Sequence, residues 1–554
     1  MWAKIFASDS TQEILRELRE LINENNDRIN ERDICNNTAL IYAVLKNHED
    51  IVKFLIENGA NSNLRNIIGR TALMYAVMND NLDIVKYLVE NNTDVNLYDR
   101  FGDTALIYAV ENGDFEIIKY LVDNNANINW VPNDGYSALI YATKRRNKKV
   151  LKYLLDNNAD VDITDICGGT ALMHAQNEEI AECLLLYGAN IDEVDNEGRT
   201  ALMYMSRYGC ENMVKYLLDK GANIDEVDDE GRNSLMHAIE CRKLEILKYL
   251  IKRGARIDLR DRFGRTLLIR AANSVYIDIV KYLLEIGVHV DDVDREGRTA
   301  LMHVSRRFGN IKIASILLEY GANIDAKDRE GRTALMYVSE SLHIDILKWL
   351  VENGADLNQK DNRGRTALMH AVQMGNIKML KYLLDYGTDI YAKDKEGLTV
   401  LDYTDNKEIF EILKNWKDRI ELLYRSKDIV DENGKTELMK LIENKENGLA
   451  KSLIRRGASV NKRDKNGKSV LMYILENGDA SLLDFAKRTR ALTVDSIVNT
   501  LLSLKNCTTE QVMNSLNIID VKYKDNKKDI DEFIKRKRDK IPEERCNLEM
   551  QKTL

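Results

Sequence analysis

Residues 328–358 read DREGRTALMYVSESLHIDILKWLVENGADLN, and this phrase returns along most of the chain. Its most constant part, Gly-Arg-Thr-Ala-Leu-Met, begins at Gly69, Gly198, Gly297, Gly331 and Gly364. With the Thr taken as a marker, fourteen positions follow one another at 33-residue intervals, apart from single intervals of 30, 34 and 37: Thr38, Thr71, Thr104, Ser137, Thr170, Thr200, Asn233, Thr266, Thr299, Thr333, Thr366, Thr399, Thr436 and Ser469. A constant period of this length predicts a stacked array in which each repeat packs on its neighbours.

The sequence of each repeat predicts a turn, a helix, a loop, a second helix and an extended connector. Asp328–Gly331 has the composition of a turn, because Asp accepts nearby backbone amides and Gly tolerates a positive φ. Thr333 is placed to cap the first helix, and residues 344–351 form the second. Gly354 supplies a residue suited to the helix C-terminus.

This pattern resembles the ankyrin repeat from about Asp33 to Ala486. The resemblance depends on the period, the Gly two residues before the marker, Thr-Ala-Leu, Ile-Val-Lys-Tyr-Leu-Leu and Gly-Ala-Asn/Asp. The chain departs from the usual Thr-Pro-Leu-His, since Ala replaces Pro and Met or Ile replaces His. The resemblance implies an all-α solenoid of about fourteen ankyrin-like helix-turn-helix repeats with hairpin-like turns, plus a short C-terminal helical region.

Breaks in the pattern predict four segments. Residues 1–32 form an N-terminal capping half-repeat, which a capping box at Ser10–Glu13 opens. Residues 33–427 form the main array, and residues 428–488 form a short second stack after a truncated repeat at Thr399. Residues 489–554 form a C-terminal helical region with a polar, basic tail. The 30-residue interval after Thr170 predicts a tighter loop between the two helices of that repeat.

Composition excludes several functions. The net charge of −9 disfavours a nucleic-acid partner, and the seven cysteines show no CxxC spacing that would predict a zinc site. No stretch reaches the roughly 20 apolar residues of a membrane span. We find no phosphate-binding, zinc-protease or hydrolase motif, so we predict a protein that is not an enzyme and needs no cofactor, metal or small-molecule substrate. A cytoplasmic location is expected, with weak support for nuclear import from Lys535–Arg538, and the chain is taken as a monomer.

The residue four positions after each marker, here termed the inner column, is aromatic or basic throughout. Its members are Tyr42, Tyr75, Tyr108, Tyr141, His174, Tyr204, His237, Arg270, His303, Tyr337, His370, Tyr403, Lys440 and Tyr473. One interpretation is a ladder that contacts a partner, because Tyr and Arg dominate binding hot spots. The other is that these side chains hold the stack together. A shared metal site is not expected, since histidines in alternate repeats would lie roughly 16–20 Å apart at the usual spacing of packed helices.

Arginine precedes the marker in seven repeats: Arg70, Arg199, Arg232, Arg265, Arg298, Arg332 and Arg365. Glu197, Glu230, Glu296 and Glu330 recur two residues earlier. These side chains could form a ladder of surface ion pairs, or the arginines could bind an acidic or phosphorylated segment. A further column of rings on the second helix, which includes Tyr87, is expected to be structural.

We therefore expect a non-catalytic scaffold that binds a partner protein along the concave face and turn tips, with contacts concentrated in residues 228–346. The alternative is an adaptor or host-directed effector, whose repeats select a target while the C-terminal region docks a second factor. The candidate contact residues are Tyr204, Arg207, Tyr208, His237, Phe263, Arg265, Arg270, His303, Arg306, Arg307, Tyr337, Arg363 and His370.

Overall fold

A computed structural model describes residues 2–8, 10–24, 26–307, 309–341, 343–427, 429–477, 482–483 and 485–486. The helices predicted at 494–504, 509–516 and 525–540, and the basic run Lys535–Arg538, lie outside the described residues. Within the described ranges the backbone forms helices and turns, with four isolated β-bridges and no strand. The predicted all-α fold is confirmed. None of the helices in these ranges is both long and apolar enough to cross a membrane.

The chain divides into two compact units, Met1–Val288 and His289–Leu554. Unit 1 opens with α1 Trp2–Ile5, α2 Thr11–Glu24 and a 3₁₀ turn, Asn26–Asn30. Eight helix pairs follow: α3 Ala39–Leu45 with α4 Glu49–Glu57, α5 Ala72–Met78 with α6 Leu82–Glu90, α7 Ala105–Asn112 with α8 Phe115–Asp123, α9 Ala138–Lys144 with α10 Lys148–Asp156, α11 Ala171–His174 with α12 Glu178–Leu186, α13 Ala201–Tyr208 with α14 Glu211–Asp219, α15 Ser234–Glu240 with α16 Leu244–Lys252, and α17 Leu267–Asn273 with α18 Ile277–Glu285.

Unit 2 continues the same pairing. Its pairs are α19 Ala300–Arg307 with α20 Ile311–Glu319, α21 Ala334–Ser339 with α22 Ile344–Glu352, α23 Ala367–Gln373 with α24 Ile377–Asp385, the 3₁₀ helix Val400–Tyr403 with α25 Lys407–Arg425, and α26 Glu437–Glu443 with α27 Asn447–Arg455; α28 Val470–Glu476 is the last first-helix described. Each of the fourteen markers thus directly precedes a first helix, as the period predicts.

The core of each repeat follows from helical periodicity. On α21 the apolar residues Ala334, Leu335, Met336 and Val338 are buried, and on α22 Leu347 is buried with its apolar neighbours. These two stripes face each other and the adjacent repeats, so burial of apolar surface is distributed evenly along the stack.

Backbone hydrogen bonds join the turn tips of neighbouring repeats. In unit 1 the amide of Ile67 donates to the carbonyl of Cys35 at 2.8 Å, and that of Arg100 donates to Ile68 at 3.0 Å. In unit 2 Arg329 donates to Glu296 at 2.9 Å in the same way. These three junctions therefore each gain one directional bond in addition to apolar packing.

A second series of bonds runs along the connectors between repeats. There a side chain accepts the amide of the residue 31 positions later: Asp192 Oδ1 accepts Asn223 N–H at 2.8 Å, and Asp325 Oδ1 accepts Asp356 N–H at 3.0 Å. This requirement explains why Asn or Asp recurs in the Gly-Ala-x-x-Asp/Asn phrase, since only a short acceptor reaches the neighbouring backbone.

The marker residue caps the first helix in most repeats. Thr71 Oγ1, for example, accepts the amide of Met74 at 3.3 Å. Thr333 stands at the N-cap position of α21 with extended backbone, but its Oγ1 accepts no bond, so the predicted side-chain cap is absent there. Ser10 Oγ accepts the amide of Glu13 at 3.4 Å at the start of α2, as one half of the predicted capping box requires.

The 30-residue interval shortens a helix, not a loop. α11 has four residues where its neighbour α9 has seven, and three residues separate the two helices of the repeat in both cases. The expected tightening of the loop was wrong, because the deletion removes the last turn of the helix.

In unit 2 the truncated repeat at Thr399 leads into a single helix of 19 residues, α25. The next second helix, α27, packs on both α24 and α25. Gly448 makes the α24–α27 contact, since a Cβ atom there would lie 2.5 Å from the carbonyl oxygen of Leu384 and 2.6 Å from that of Asp385. The boundary predicted at 427/428 stays a prediction. Helix α27, which follows it, packs on α24 and α25, which precede it.

Replacing Gly448 with Ala tests that packing. Ala normally stabilises a helix by about 1 kcal/mol relative to Gly, but here the added methyl group would push α27 away from α24. We expect Gly448→Ala to lower the free energy of unfolding by about 1–3 kcal/mol, measured by urea denaturation. Glu411→Ala, on the exposed side of α25, is the control and should change little. A stabilising Gly448→Ala would show that the two helices do not pack this closely.

Candidate functional site

The inner column points at a carboxylate in the turn of its own repeat. Tyr337 Oη donates to Asp328 Oδ2 at 2.6 Å, and His237 Nε2 lies 2.9 Å from Asp228 Oδ2. The same nine-residue pairing recurs in both units: Tyr42–Asp33, Tyr108–Asp99, His174–Asp165, Tyr204–Asp195, Arg270–Asp261, His303–Asp294, His370–Asp361, Tyr403–Asp394 and Tyr473–Asp464. These inner-column side chains therefore all have a structural partner, whether or not they also contact another protein.

The other oxygen of this turn aspartate closes the turn. Asp228 Oδ1 accepts the amides of Glu230 at 3.0 Å and of Arg232 at 2.8 Å. Burial opposes ionisation, but the hydrogen bonds from His237 and Arg232 outweigh it and hold the pKa of Asp228 at about 2. Our sequence interpretation predicted that such an aspartate accepts turn amides but missed its bond to the inner-column side chain. The signal was present as an Asp nine residues before the inner-column residue in twelve of the fourteen repeats.

The arginine before the marker also binds the turn aspartate. Arg298 Nε donates to Asp294 at 2.8 Å, and its Nη2 donates to Glu296 at 2.7 Å. Arg232 likewise binds Asp228 but pairs with Glu240 at 3.2 Å in place of Glu230. Some of the predicted arginine–glutamate pairs thus form, and they form within a repeat. The main partner of each arginine is a turn aspartate, a pairing that the sequence interpretation did not predict.

The structure separates the thirteen candidate residues by exposure. His237, Arg270, Tyr337 and His370 are buried. Tyr204, Arg207, Arg265 and His303 are partly exposed, and Tyr208, Phe263, Arg306, Arg307 and Arg363 are exposed. Side chains of the exposed group can meet a partner without any rearrangement of the repeats.

In unit 1 several candidates come together around Glu240 in α15. Its carboxylate binds Arg270 Nη2, Arg232 Nη1 at 3.2 Å and Arg207 Nη1 at 3.6 Å. The buried Nε of Arg270 and Nδ1 of His237 have no hydrogen-bond partner in the described part of the chain. One carboxylate thus gathers three guanidinium groups.

Exposed rings flank this cluster. Tyr208 is 59% exposed and lies 6.0 Å from the ring of Tyr204, centroid to centroid. Phe263 is 40% exposed and has the guanidinium groups of Arg262 and Arg265 at 4.8 and 4.7 Å from its ring centre. The combination of exposed aromatic rings and arginines is the composition of a protein-binding hot spot.

The third repeat has an acidic residue where many other repeats have an arginine before the marker. Asp103 occupies the position that Arg holds in the neighbouring second repeat. Burial, together with the charges of Asp99, Asp134 and Glu111, raises the pKa of Asp103 to about 6. Arg70 opposes this rise but is hydrogen-bonded to Asp99 and Tyr108.

Within the described ranges no group of three or more His, Cys, Asp or Glu side chains could hold a metal ion. Cys35, Cys167, Cys183, Cys210 and Cys241 carry no disulfide. The four inner-column histidines each lie against a turn aspartate.

Asp103 makes stability depend on pH. Its pKa rises on folding, so its stabilising contribution is complete below about pH 4 and is lost as the pH rises through about 6. We expect Asp103→Asn to raise the free energy of unfolding by about 1–2 kcal/mol at pH 7.5 and to change little at pH 4. Urea denaturation at both pH values measures this. Asp229→Asn, at an exposed turn tip, is the control. A loss of stability in Asp103→Asn at pH 7.5 would contradict the assignment.

Comparison with known proteins agrees with this architecture. The family model described as ankyrin repeats (three copies) matches residues 5–99, 91–165, 169–261, 235–328 and 322–394. No curated protein matches the chain significantly. Ankyrin repeats are generally protein–protein interaction modules, and proteins built from them are typically non-enzymatic scaffolds. Since the matches cover most of the chain, the chain belongs to the ankyrin-repeat family.

Proposed function

We propose that this protein is a non-catalytic scaffold that binds a partner protein along the inner face and turn tips of its repeats. The observation that carries the proposal is that unit 1 presents Arg207, Tyr208 and Phe263 to solvent. These side chains are exposed or partly exposed, whereas their repeats are held by buried carboxylates. Aromatic and arginine side chains on a rigid support are the residues that contribute most to binding free energy.

The side chains next to these exposed residues are held in place by turn aspartates, which favours preorganised binding. Tyr208 lies beside Tyr204, whose hydroxyl donates to Asp195 at 2.7 Å. Arg265, beside Phe263, donates to Asp261 at 2.7 Å. Because these neighbours are already fixed, a partner would not have to order them, and less conformational entropy would be lost on binding.

Unit 2 contributes candidates of its own. Arg306, Arg307 and Arg363 are exposed, and the guanidinium of Arg306 lies 5.8 Å from the ring centre of Tyr337. Of the predicted contact region 228–346, we retain Phe263, Arg265, Arg306 and Arg307 for direct contact. The buried His237, Arg270 and Tyr337 then support the surface from beneath.

The experiment is affinity capture from a lysate of the source organism with the full chain and with the triple variant Arg207→Ala, Tyr208→Ala, Phe263→Ala. We expect the variant to retain less than a tenth of the captured partner, because truncating hot-spot residues costs about 2 kcal/mol or more each. Tyr320→Ala removes an exposed ring at the end of α20 and is the matched control.

Equal capture by the triple variant and the unmodified chain would contradict this placement of the surface. A chain ending at Arg488 provides a further arm. If it loses one partner and keeps another, the adaptor function gains support over the simple scaffold.

A further inference from the structure

The turn tips of four of the first five repeats expose large apolar side chains, while the fourth repeat has Asn133 and Asp134 there. Ile34 is 95% exposed, Ile67 46%, Phe101 58% and Ile166 66%, and these four residues are termed the apolar tip row. The corresponding tips of most later repeats carry charge: Glu197, Asp229, Glu230, Arg295, Glu296, Arg329 and Glu330. Ile34, Ile67 and Ile166 lie four residues before their markers and Phe101 lies three before its own, so all four belong to turn tips. Exposed apolar side chains grouped in this way are typical of a binding surface.

The first three tips of this row are in direct contact. Ile67 N–H donates to Cys35, and Arg100 N–H donates to Ile68. At Gly69 a Cβ atom would lie 2.8 Å from the amide nitrogen of Arg100, so only glycine permits this approach. The tips are thus held in line by backbone contacts, and the row presents a linear surface.

Aromatic side chains broaden the row at the third and fourth repeats. The rings of Tyr98 and Trp130 stack with centroids 5.0 Å apart, and Trp130 Nε1 donates to the carbonyl of Gly102 at 2.7 Å. Tyr98 and Val131 are themselves exposed. The surface next to Phe101 is therefore wide enough for more than one apolar side chain of a partner.

The charge around the row is negative. Residues 33–170 contain thirteen Lys and Arg against nineteen Asp and Glu, a net charge of −6. Asp103, Glu111 and Asp134 belong to the repeats at the centre of the row. Glu111 pairs with Arg145 at 3.0 Å, whereas no cation in the described ranges is hydrogen-bonded to Asp103. A second copy of this chain would bring like charges together, whereas a basic segment would be attracted.

Ring faces here already accept an ammonium group. Lys144 Nζ lies 3.4 Å from the ring centre of Tyr136, whose ring packs edge-on to that of Tyr141. A lysine or arginine of a partner can be bound in the same manner beside the carboxylates.

We propose that the apolar tip row docks an extended segment of another protein in which apolar residues alternate with Lys or Arg. The apolar side chains pack on Ile67 and Phe101, and the cations face Asp103 and Asp134. This surface is separate from that of Tyr208 and Phe263, so the protein would carry two binding surfaces of different chemistry in unit 1.

Three labelled twelve-residue peptides test the proposal by fluorescence anisotropy against the full chain: Lys-Val-Ser, Glu-Val-Ser and Lys-Ser-Ser, each repeated four times. We expect the Lys-Val-Ser peptide to bind at least tenfold more tightly than either of the others. Ile67→Ser with Phe101→Ser should weaken it at least tenfold, and Asp103→Asn with Asp134→Asn should weaken it several-fold at low salt.

Leu186→Ser is the matched control, since it removes an exposed apolar side chain of unit 1 outside the row and should leave the affinity unchanged. A Kd for the Lys-Val-Ser peptide above roughly 1 mM, the range of very weak complexes, would overturn the proposal. Equal affinity for the Glu-Val-Ser peptide, or an equal loss of affinity in the control variant, would also overturn it. These outcomes leave the capture test of Arg207, Tyr208 and Phe263 unaffected, so the two proposals fail separately.

Discussion

A carboxylate in the turn, buried or partly buried, is the interaction on which most repeats depend, since Asp holds this position in twelve of the fourteen. Its Oδ1 accepts two turn amides, and its Oδ2 receives the inner-column side chain and, in most of the later repeats, an arginine. A buried carboxylate is stable only when such donors surround it. The second repeat retains the arrangement without the charge: Asn66 Oδ1 accepts Arg70 N–H at 2.9 Å, and its Nδ2 donates to Tyr75 Oη at 2.9 Å. This repeat thus keeps a side-chain acceptor for the turn amides although it lacks the negative charge of a carboxylate.

Much of the fold could be predicted from the sequence because it depends on local chemistry and period. Gly at the turn, Thr at the cap and the apolar stripes each have one dominant structural reason, and the helices begin where these residues indicate. Two details could not be predicted. The missing residues after Thr170 shorten α11 because a helix can lose its last turn more easily than a three-residue loop can shrink. Thr333 lacks its cap bond because the geometry of a single side chain is not encoded in the pattern.

The candidate site was harder to predict, since one residue type serves both framework and surface. The sequence singled out the inner column, but His237 and Tyr337 turn out to be buried against their turn aspartates. The position of a residue in the repeat does not give the exposed fraction of its side chain. Tyr208 and Phe263 can be identified as surface residues only from the packed structure. The contrast between apolar tips in the early repeats and charged tips in the later ones was readable in the sequence, but its meaning depends on the exposed fraction of Ile34, Phe101 and Ile166.

Amide hydrogen exchange in unit 2 tests the central claim most directly. The carboxylate of Asp328 holds the amides of Glu330 and Arg332, and Tyr337 holds that carboxylate from the helix. Tyr337→Phe removes one hydroxyl and keeps the ring. The account predicts that exchange at Glu330 and Arg332 becomes about tenfold faster, the equivalent of roughly 1.4 kcal/mol, while amides inside α22 change little. Unchanged exchange at the two turn amides in a folded variant would show that the turn is held by packing alone.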